Sequence, residues 1–358
     1  MGFLPMREKQ DVTTERAAAE AAAAGQRTIM EMQRAVWRFA ALRALVAVGC
    51  PEQLRDGPRT VAELADRCGA DAATLGRLLR TIATTGLLRG VRRDTYELTG
   101  AGQALLGGRA VTSVRFQLDA EVWRALGELT ETVRTGESPF TRRHGSLYDY
   151  LSTQPDVSAV FDELMDLNHG PLADSLAALL DGAGVGLPAA GTVVDVGGGQ
   201  GTFLAAILRA GPGIRGILLE LDRTVPAARR YLTARGVADR CEVVAGDVFT
   251  AVPAGGDAYL LAHIVHNWDD EQATAILRTI RAVIPAGGRL LLVEAPLPDD
   301  DAPHFGKDLD IRLLTMHEGK ERTVAEYAAL LASAGFRLGE VTELDRGECL
   351  LTASPVGA

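Results

Sequence analysis

Cysteine is scarce in this sequence of 358 residues, which contains only four. None of them stands in a CxxC pair or at short spacing from a histidine, so the pattern argues against a zinc site. A low and scattered cysteine content also fits a reducing compartment. The four residues are Cys50, Cys68, Cys241 and Cys349.

Long apolar runs and a basic excess are missing as well. The apolar stretch 35–50 is interrupted by Arg38 and Arg43, and the first 20 residues contain no apolar targeting segment. The 37 basic and 47 acidic side chains leave a formal charge of −10, so there is no surplus of cations for a polyanion. We therefore predict a cytoplasmic protein with neither a membrane nor a nucleic acid as its partner.

A winged-helix pattern occupies residues 60–99. Thr60 and Glu63 form a capping-box signal before one short helix, and a second helix with apolar residues at helical spacing ends at Gly86. Two alternating segments follow around the polar turn 92–94. We interpret this region as a dimerisation or scaffolding unit. DNA contact is the alternative, because Arg92 and Arg93 stand at the tip of the wing.

The sequence pattern changes after about residue 190, where short apolar runs begin to alternate with amphipathic segments. This alternation predicts an α/β fold with a parallel sheet, helices on both faces and a ligand site at the carboxyl ends of the strands. We predict three parts: an N-terminal domain (1–105), a helical connecting region that lines a substrate pocket (106–190) and a catalytic domain (191–358). The predicted strands are 193–196, 217–221, 241–245, 258–265 and 289–293.

A glycine-rich turn follows the first of these strands, at 195–201. Thr202 stands where the dinucleotide-binding fingerprint requires its last glycine, which disfavours a nicotinamide-dependent reductase, and no lysine follows as in a phosphate-binding loop. A tight turn without any ligand is an alternative. Glu220 and Asp247 close the second and third strands, and with Asp195 they would place three carboxyl groups around one crevice. Such a crevice suits the hydroxyls and amino group of an adenosine.

The chain resembles class I S-adenosylmethionine-dependent O-methyltransferases. The resemblance is carried by the segments 195–201, 220 and 246–247 and above all by 263–270. Within this class the chain is most similar to the family of plant phenolic O-methyltransferases and bacterial tailoring enzymes of aromatic natural products. The resemblance covers nearly the whole chain. It implies a Rossmann-like methyltransferase sheet with an N-terminal, mostly helical winged-helix dimerisation domain. It also implies a homodimer, a small aromatic acceptor, S-adenosyl-L-methionine as donor with S-adenosyl-L-homocysteine as product, and no metal.

The resemblance assigns roles to individual residues. His266 matches the general base that takes the proton of a phenolic hydroxyl, while Glu294 and Glu321 flank it. Glu321 belongs to the segment 319–323 before the helix of the Phe336 segment, and its alternative role is that of an acid in the first turn of a helix. The residues expected to bind the cofactor are Asp195, Gly197, Gly199, Gly201, Glu220, Leu221, Asp247 and Val248.

Other positions are assigned less directly. We expect His263 to point to the opposite face of an extended segment from His266, and we interpret it as structural. The residues where the family places the walls of the acceptor pocket could equally be core residues. They are Trp123, Met165, Met316 and His317.

Two departures from the family pattern stand close to the predicted base: Ala262 replaces a common lysine and Asn267 a frequent aspartate. Some relatives from anthracycline pathways have lost the histidine and carry out hydroxylation or decarboxylation instead. Because this chain keeps His266, we predict methyl transfer to a phenolic hydroxyl of a small aromatic secondary metabolite. Anthracycline-type hydroxylation or decarboxylation is the alternative activity, and a winged-helix regulator that senses a metabolite is a further alternative.

Overall fold

The computed structural model describes residues 6–180 and 190–357, with the side chains of 16–179 and 190–357. The chain forms two compact units, Met1–Leu118 and Asp119–Ala358, so the predicted connecting region 106–190 falls partly in each. Residues 181–189 of that region and residues 1–5 of the opening segment lie outside the described part. Among the described residues, no helix combines the length and the apolar character needed to cross a membrane.

The first unit contains the predicted winged helix. Thr60 accepts a hydrogen bond from the backbone N–H of Glu63 and caps the first helix of the motif, as predicted. The wing pairs with an additional short strand that was not predicted, in the order β1-β3-β2. The helices are α1 (Met6–Ala47), α2 (Cys50–Gln53), α3 (Val61–Cys68), α4 (Ala72–Ala83) and α5 (Arg109–Phe116), and the strands are β1 (Arg59–Thr60), β2 (Leu88–Arg92) and β3 (Thr95–Leu98).

The second unit begins with five helices and continues as alternating strands and helices. The helices are α6 (Ala120–Gly127), α7 (Leu129–Thr135), α8 (Pro139–His144), α9 (Leu147–Thr153), α10 (Pro155–Leu180), α11 (Thr202–Ala210), α12 (Val225–Ala234), α13 (Asp270–Arg281), α14 (Phe305–Met316) and α15 (Val324–Ser333). The strands are β4 (Ala190–Val196), β5 (Gly213–Glu220), β6 (Cys241–Ala245), β7 (Ala258–Ala262), β8 (Arg289–Glu294), β9 (Phe336–Glu343) and β10 (Cys349–Pro355).

The seven strands of the second unit form one sheet in the order β6-β5-β4-β7-β8-β10-β9. The five strands from β4 to β8 pair in parallel, which confirms the predicted parallel sheet. The last two strands are antiparallel and were not predicted. The expected helix of the Phe336 segment is wrong for Phe336 itself, because α15 ends at Ser333, Gly335 adopts a φ of 82° and Phe336 opens β9.

Apolar side chains cover both faces of the sheet. On β4, Val193 packs with α10, α11 and α12, whereas Val194 and Val196 pack with α13 and α15 on the other face. Strands that are buried on both faces have apolar residues at successive positions, which explains the short apolar runs in the sequence. The carboxyl ends of the parallel strands therefore remain the edge at which polar side chains collect.

Candidate active site

The glycine-rich loop after β4 has the open geometry that a close ligand requires. Gly197, Gly199 and Gly201 all have positive φ values, of 71°, 61° and 88°. A Cβ atom at Gly197 would lie 2.9 Å from the Cδ1 atom of Ile264, so the backbone packs tightly there. At Gly199 a Cβ atom would meet nothing within 4 Å. The loop is thus fixed at its ends and leaves open space at its tip, where a nucleoside would fit.

Asp195 lies beneath this loop and has no exposed surface. A Cβ atom on Gly198 would lie 2.2 Å from its carboxyl oxygen Oδ2, and both carboxyl oxygens lack a hydrogen-bond partner among the described residues. Burial, together with the charge of Glu220, raises the pKa of Asp195 to about 7. The expectation that all three acids face one crevice therefore does not hold for Asp195.

Glu220 and Asp247 lie at the ends of the neighbouring strands β5 and β6. The carboxyl group of Glu220 accepts hydrogen bonds from the N–H groups of Gly199 (3.0 Å) and Leu221 (2.8 Å). Burial raises the pKa of Glu220. Asp247 is exposed and accepts a hydrogen bond from the N–H of Phe249, while the side chain of Val248 packs against the core. Two carboxyl groups beside an open glycine turn fit the hydroxyls and amino group of an adenosine.

His266 lies in a short 3₁₀ turn, Val265–Asn267, immediately after β7. Its Nδ1 atom is 2.7 Å from Oε1 of Glu321 and 3.3 Å from Oε2 of Glu294. Both carboxyl groups face the same ring nitrogen, so Nδ1 carries the hydrogen and Nε2 of the neutral ring is the proton acceptor. Burial by itself would lower the pKa of His266, but the charges of Glu321 and Glu294 raise it to about 9.

Glu294 and Glu321 are both held in place by the backbone. Glu294 is the last residue of β8, and its Oε1 atom accepts a hydrogen bond from the N–H of Val265. Helix α15 is capped by Thr323 and Glu326, so Glu321 lies before the helix and not in its first turn. The structure therefore disfavours the alternative in which Glu321 is only a helix-terminal acid. Among the described side chains, His266, Glu294 and Glu321 are also the group whose ligand atoms approach within 4.8 Å of one another.

The segment 319–323 holds the turn that carries His266. A Cβ atom on Gly319 would lie 2.0 Å from the carbonyl oxygen of His266, so only glycine fits at this contact. The buried guanidinium of Arg322 donates hydrogen bonds to the carbonyl groups of Val265 and Trp268 and to the carboxyl group of Asp270. The sequence of this segment does not reveal these two positioning roles, because the contacts join residues about 50 positions apart.

The prediction that His263 points away from His266 is wrong. Its backbone has a φ of 54°, which ends β7 at Ala262 and turns the side chain towards His266. The two imidazole rings stack with centroids 5.3 Å apart and an angle of 11° between their planes. Nδ1 of His263 lies 3.0 Å from Nε2 of His169, and its Nε2 atom is hydrogen-bonded to Glu348. His263 is thus a direct neighbour of the predicted base.

The predicted pocket residues fall on three helices or their ends. His317 follows α14, and burial, together with the charges of His266 and Arg312, lowers its pKa to about 3. Met316 is buried at the end of α14, while Trp123 on α6 and Met165 on α10 are half-buried. The rings of Tyr148 and His317 lie with centroids 6.4 Å apart. The sequence held no signal for Tyr148, which lies more than a hundred residues before the base.

Known proteins resemble the chain along most of its length. A sequence profile described as an O-methyltransferase domain matches residues 123–337, and one described as an O-methyltransferase dimerisation domain matches residues 30–108. The mitomycin biosynthesis 6-O-methyltransferase of Streptomyces lavendulae is 38% identical over 331 residues, which cover 91% of this chain and 93% of that protein.

Two solved structures are also similar. The mitomycin 7-O-methyltransferase MmcR is 35% identical with a TM-score of 0.87, and the match covers 94% of this chain and 100% of that one. NcsB1, an O-methyltransferase from neocarzinostatin biosynthesis, is 32% identical with a TM-score of 0.77 over 89% of this chain and 96% of that one. That structure contains S-adenosylmethionine and a naphthoic acid. The aclacinomycin 10-hydroxylase RdmB of Streptomyces purpurascens is 35% identical over 83% of this chain and 81% of that protein.

Proposed function

We propose, from the premise that this chain belongs to the O-methyltransferase family, that His266 is the general base for methylation of a phenolic hydroxyl on a small aromatic natural product. The observation that carries this proposal is the buried imidazole of His266, whose Nδ1 atom faces both Glu321 and Glu294 at the edge of the sheet next to the glycine-rich loop. Burying His266, Glu294 and Glu321 costs free energy, and a catalytic role for the imidazole would account for this cost.

The cofactor that we propose is S-adenosylmethionine, which supplies an electrophilic methyl group when bound. The glycine turn 197–201 would approach its nucleoside, and Glu220 would accept hydrogen bonds from the ribose hydroxyls. Asp247 and Val248 would contact the adenine. Gly199 supports this assignment because it faces open space and its N–H fixes the carboxyl group of Glu220. We expect no metal to take part.

His266 would accept the proton of the acceptor hydroxyl at Nε2. The pKa of His266 is raised to about 9, which is close to the value of about 10 for a phenol, so the transfer costs little free energy. The negative charges of Glu321 and Glu294 stabilise the imidazolium that forms, and Glu321 accepts a hydrogen bond from its Nδ1–H. The chain would thus prepare the oxygen nucleophile beside a buried imidazole and two buried carboxyl groups.

The test of this proposal is H266Q, assayed with S-adenosylmethionine and 1,4-dihydroxy-2-naphthoic acid, a compound bound in one NcsB1 structure. We expect the rate to fall by about 10²- to 10⁴-fold, because general-base catalysis contributes that much, while S-adenosylhomocysteine still binds. The matched control is H144Q, which removes another histidine that pairs with a glutamate, Glu121, and it should retain activity. A rate within a few-fold of wild type for H266Q would contradict the role of His266.

A second activity is suggested by the similarity to RdmB, whose name describes a hydroxylase. The two activities differ in the mass of the product, since methylation adds one methylene and hydroxylation adds one oxygen atom. His266 and its two carboxylates favour methylation, because they provide a base for a hydroxyl proton. Mass spectrometry of the product therefore distinguishes the two activities directly.

We also propose that the first unit forms a homodimer. Four large apolar side chains of α1 are mostly exposed, and they recur at helical spacing: Ile29, Met32, Val36 and Trp37. An apolar face of this kind is typical of an interface between subunits. We expect W37K to shift the protein from dimer to monomer in sedimentation experiments, and an unchanged mass would contradict an interface at this face. The cytoplasmic location stays a prediction.

A further inference from the structure

The side-chain amide of Asn267 has a defined orientation. One of its terminal atoms lies 2.8 Å from the backbone carbonyl oxygen of His263, which can only accept a hydrogen bond. This atom must therefore be the nitrogen, Nδ2. The same nitrogen lies 3.2 Å from the hydroxyl oxygen of Tyr148. Asn267 thus donates to Tyr148, and the tyrosine oxygen is the acceptor of that bond.

The hydroxyl hydrogen of Tyr148 consequently remains to be donated elsewhere. Among the residues that the structure describes, no second hydrogen bond joins this hydroxyl to an acceptor. Burial raises the pKa of Tyr148 to about 12, so the hydroxyl keeps its proton at neutral pH. Tyr148 is half-buried, so a hydroxyl donor without an acceptor in the protein is available to a ligand that provides one.

The surroundings of Tyr148 indicate where that ligand oxygen lies. Asn267 directly follows the proposed base, and the ring of His317 lies 6.4 Å from the ring of Tyr148. The guanidinium carbon of Arg223 lies 5.9 Å from the centre of the tyrosine ring. The charges of Arg223 and Arg312 act on the hydroxyl of Tyr148 and oppose the effect of burial and of Glu220. The neutral hydroxyl donor of Tyr148 thus lies close to two arginine side chains and next to the residue that follows the proposed base His266.

We propose that Tyr148 is a specificity-determining residue that donates a hydrogen bond to a second oxygen of the acceptor, a carbonyl or carboxylate group next to the hydroxyl that is methylated. This inference rests on the proposed function, because it takes the acceptor hydroxyl to lie at His266. Asn267 sets the direction of the donor. An aspartate at this position would offer a carboxylate, which would accept the hydrogen of Tyr148 and leave none for the acceptor.

The carboxylate of the cofactor is the other ligand oxygen that this donor could reach. S-adenosylhomocysteine contains the same carboxylate, so its affinity separates the two sources. If Tyr148 binds the acceptor, Y148F leaves the Kd of S-adenosylhomocysteine within about twofold of wild type. If Tyr148 binds the cofactor, Y148F weakens S-adenosylhomocysteine by about tenfold or more, as expected for the loss of one hydrogen bond to a charged oxygen.

The experiment compares 1-hydroxy-2-naphthoic acid with 1-naphthol, which lacks the neighbouring carboxylate. Both are titrated into the intact protein saturated with S-adenosylhomocysteine, and binding is followed by their fluorescence. We expect wild type to bind the acid about 10- to 100-fold more tightly than the naphthol, and we expect this ratio to fall by about tenfold or more in Y148F. The Kd of S-adenosylhomocysteine is measured for each protein by calorimetry.

Two further variants make the test specific. Tyr150 lies on the same helix, and its hydroxyl donates to Asp119 at 2.9 Å, so Y150F removes a tyrosine hydroxyl elsewhere and should keep the wild-type ratio. N267D should lower the ratio, and it should lower the ratio less when it is added to Y148F, where no tyrosine hydroxyl is left to be captured. In such a double-mutant cycle the effect of the new charge itself cancels. Thermal unfolding of each variant shows whether it is folded.

Three results would overturn the inference: no preference of wild type for the acid, a preference of the same size in Y148F, or a weaker binding of S-adenosylhomocysteine by Y148F. These are binding measurements that need no turnover. Failure of the proposed function would show itself differently, as an H266Q variant that methylates at the wild-type rate.

Discussion

Replacing Glu321 with glutamine removes one negative charge from the ring of His266 and leaves an amide oxygen that can still accept from Nδ1–H. Two unit charges about 4 Å apart, at an effective dielectric constant of about 20, attract by about 4 kcal/mol, which corresponds to about 3 pH units. We therefore expect the pKa of His266 to fall from about 9 in wild type to about 6 in E321Q.

This change should affect the rate in opposite directions at different pH values. At pH 7 a base with a pKa of about 9 is neutral in only about one molecule in a hundred, whereas most molecules of E321Q are ready to accept a proton. The weaker base, however, takes the proton less readily, by a factor that we place at about 10 to 100. We therefore expect E321Q to be as active as wild type or up to about tenfold more active at pH 7, and about 10- to 100-fold slower at pH 10.

The assay is the pH dependence of kcat/KM for the cofactor, which reports the ionisation of the free enzyme. E294Q should shift the midpoint in the same direction but less, because Glu294 lies 3.3 Å from Nδ1 and Glu321 lies 2.7 Å from it. E326Q is the matched control, since Glu326 caps α15 and glutamine can replace it in that role. An E321Q midpoint that stays at about 9, with an equal loss of rate at every pH, would refute the reasoning.

Two further predictions concern the segment that holds the proposed base. G319A should lose at least about 100-fold in kcat, because its Cβ atom would push the carbonyl of His266 away, whereas G287A, where a Cβ atom meets nothing within 4 Å, should stay active. R322M should lower the free energy of unfolding in urea by about 3 kcal/mol, because the carbonyl groups of Val265 and Trp268 lose their buried donor. Urea midpoints that match wild type would contradict the role of Arg322.

The errors of the sequence-based predictions have two causes, one in the local backbone and one in contacts between distant segments. His263 was expected to point away from His266 because three positions along an extended segment reverse a side chain, but a positive φ at His263 ends the strand. The strand β10 was missed together with its hairpin partner β9, because β10 joins the sheet through β8, which lies far earlier in the chain. Tyr148 and Arg322 were overlooked for the same reason, since each acts on the turn 265–270 from a distant part of the sequence.

The sequence by itself determined the features that depend on near neighbours or on composition. Capping by Thr60 and Thr323, the five parallel strands and the glycine turn all follow from residue types within a few positions of one another. Only the tertiary structure decided that Glu294 and Glu321 meet at one nitrogen of His266 and that Asn267 turns the hydroxyl of Tyr148 into a donor. Local conformation depends on the nearest residues, whereas charges and hydrogen bonds act through space between segments that only folding brings together.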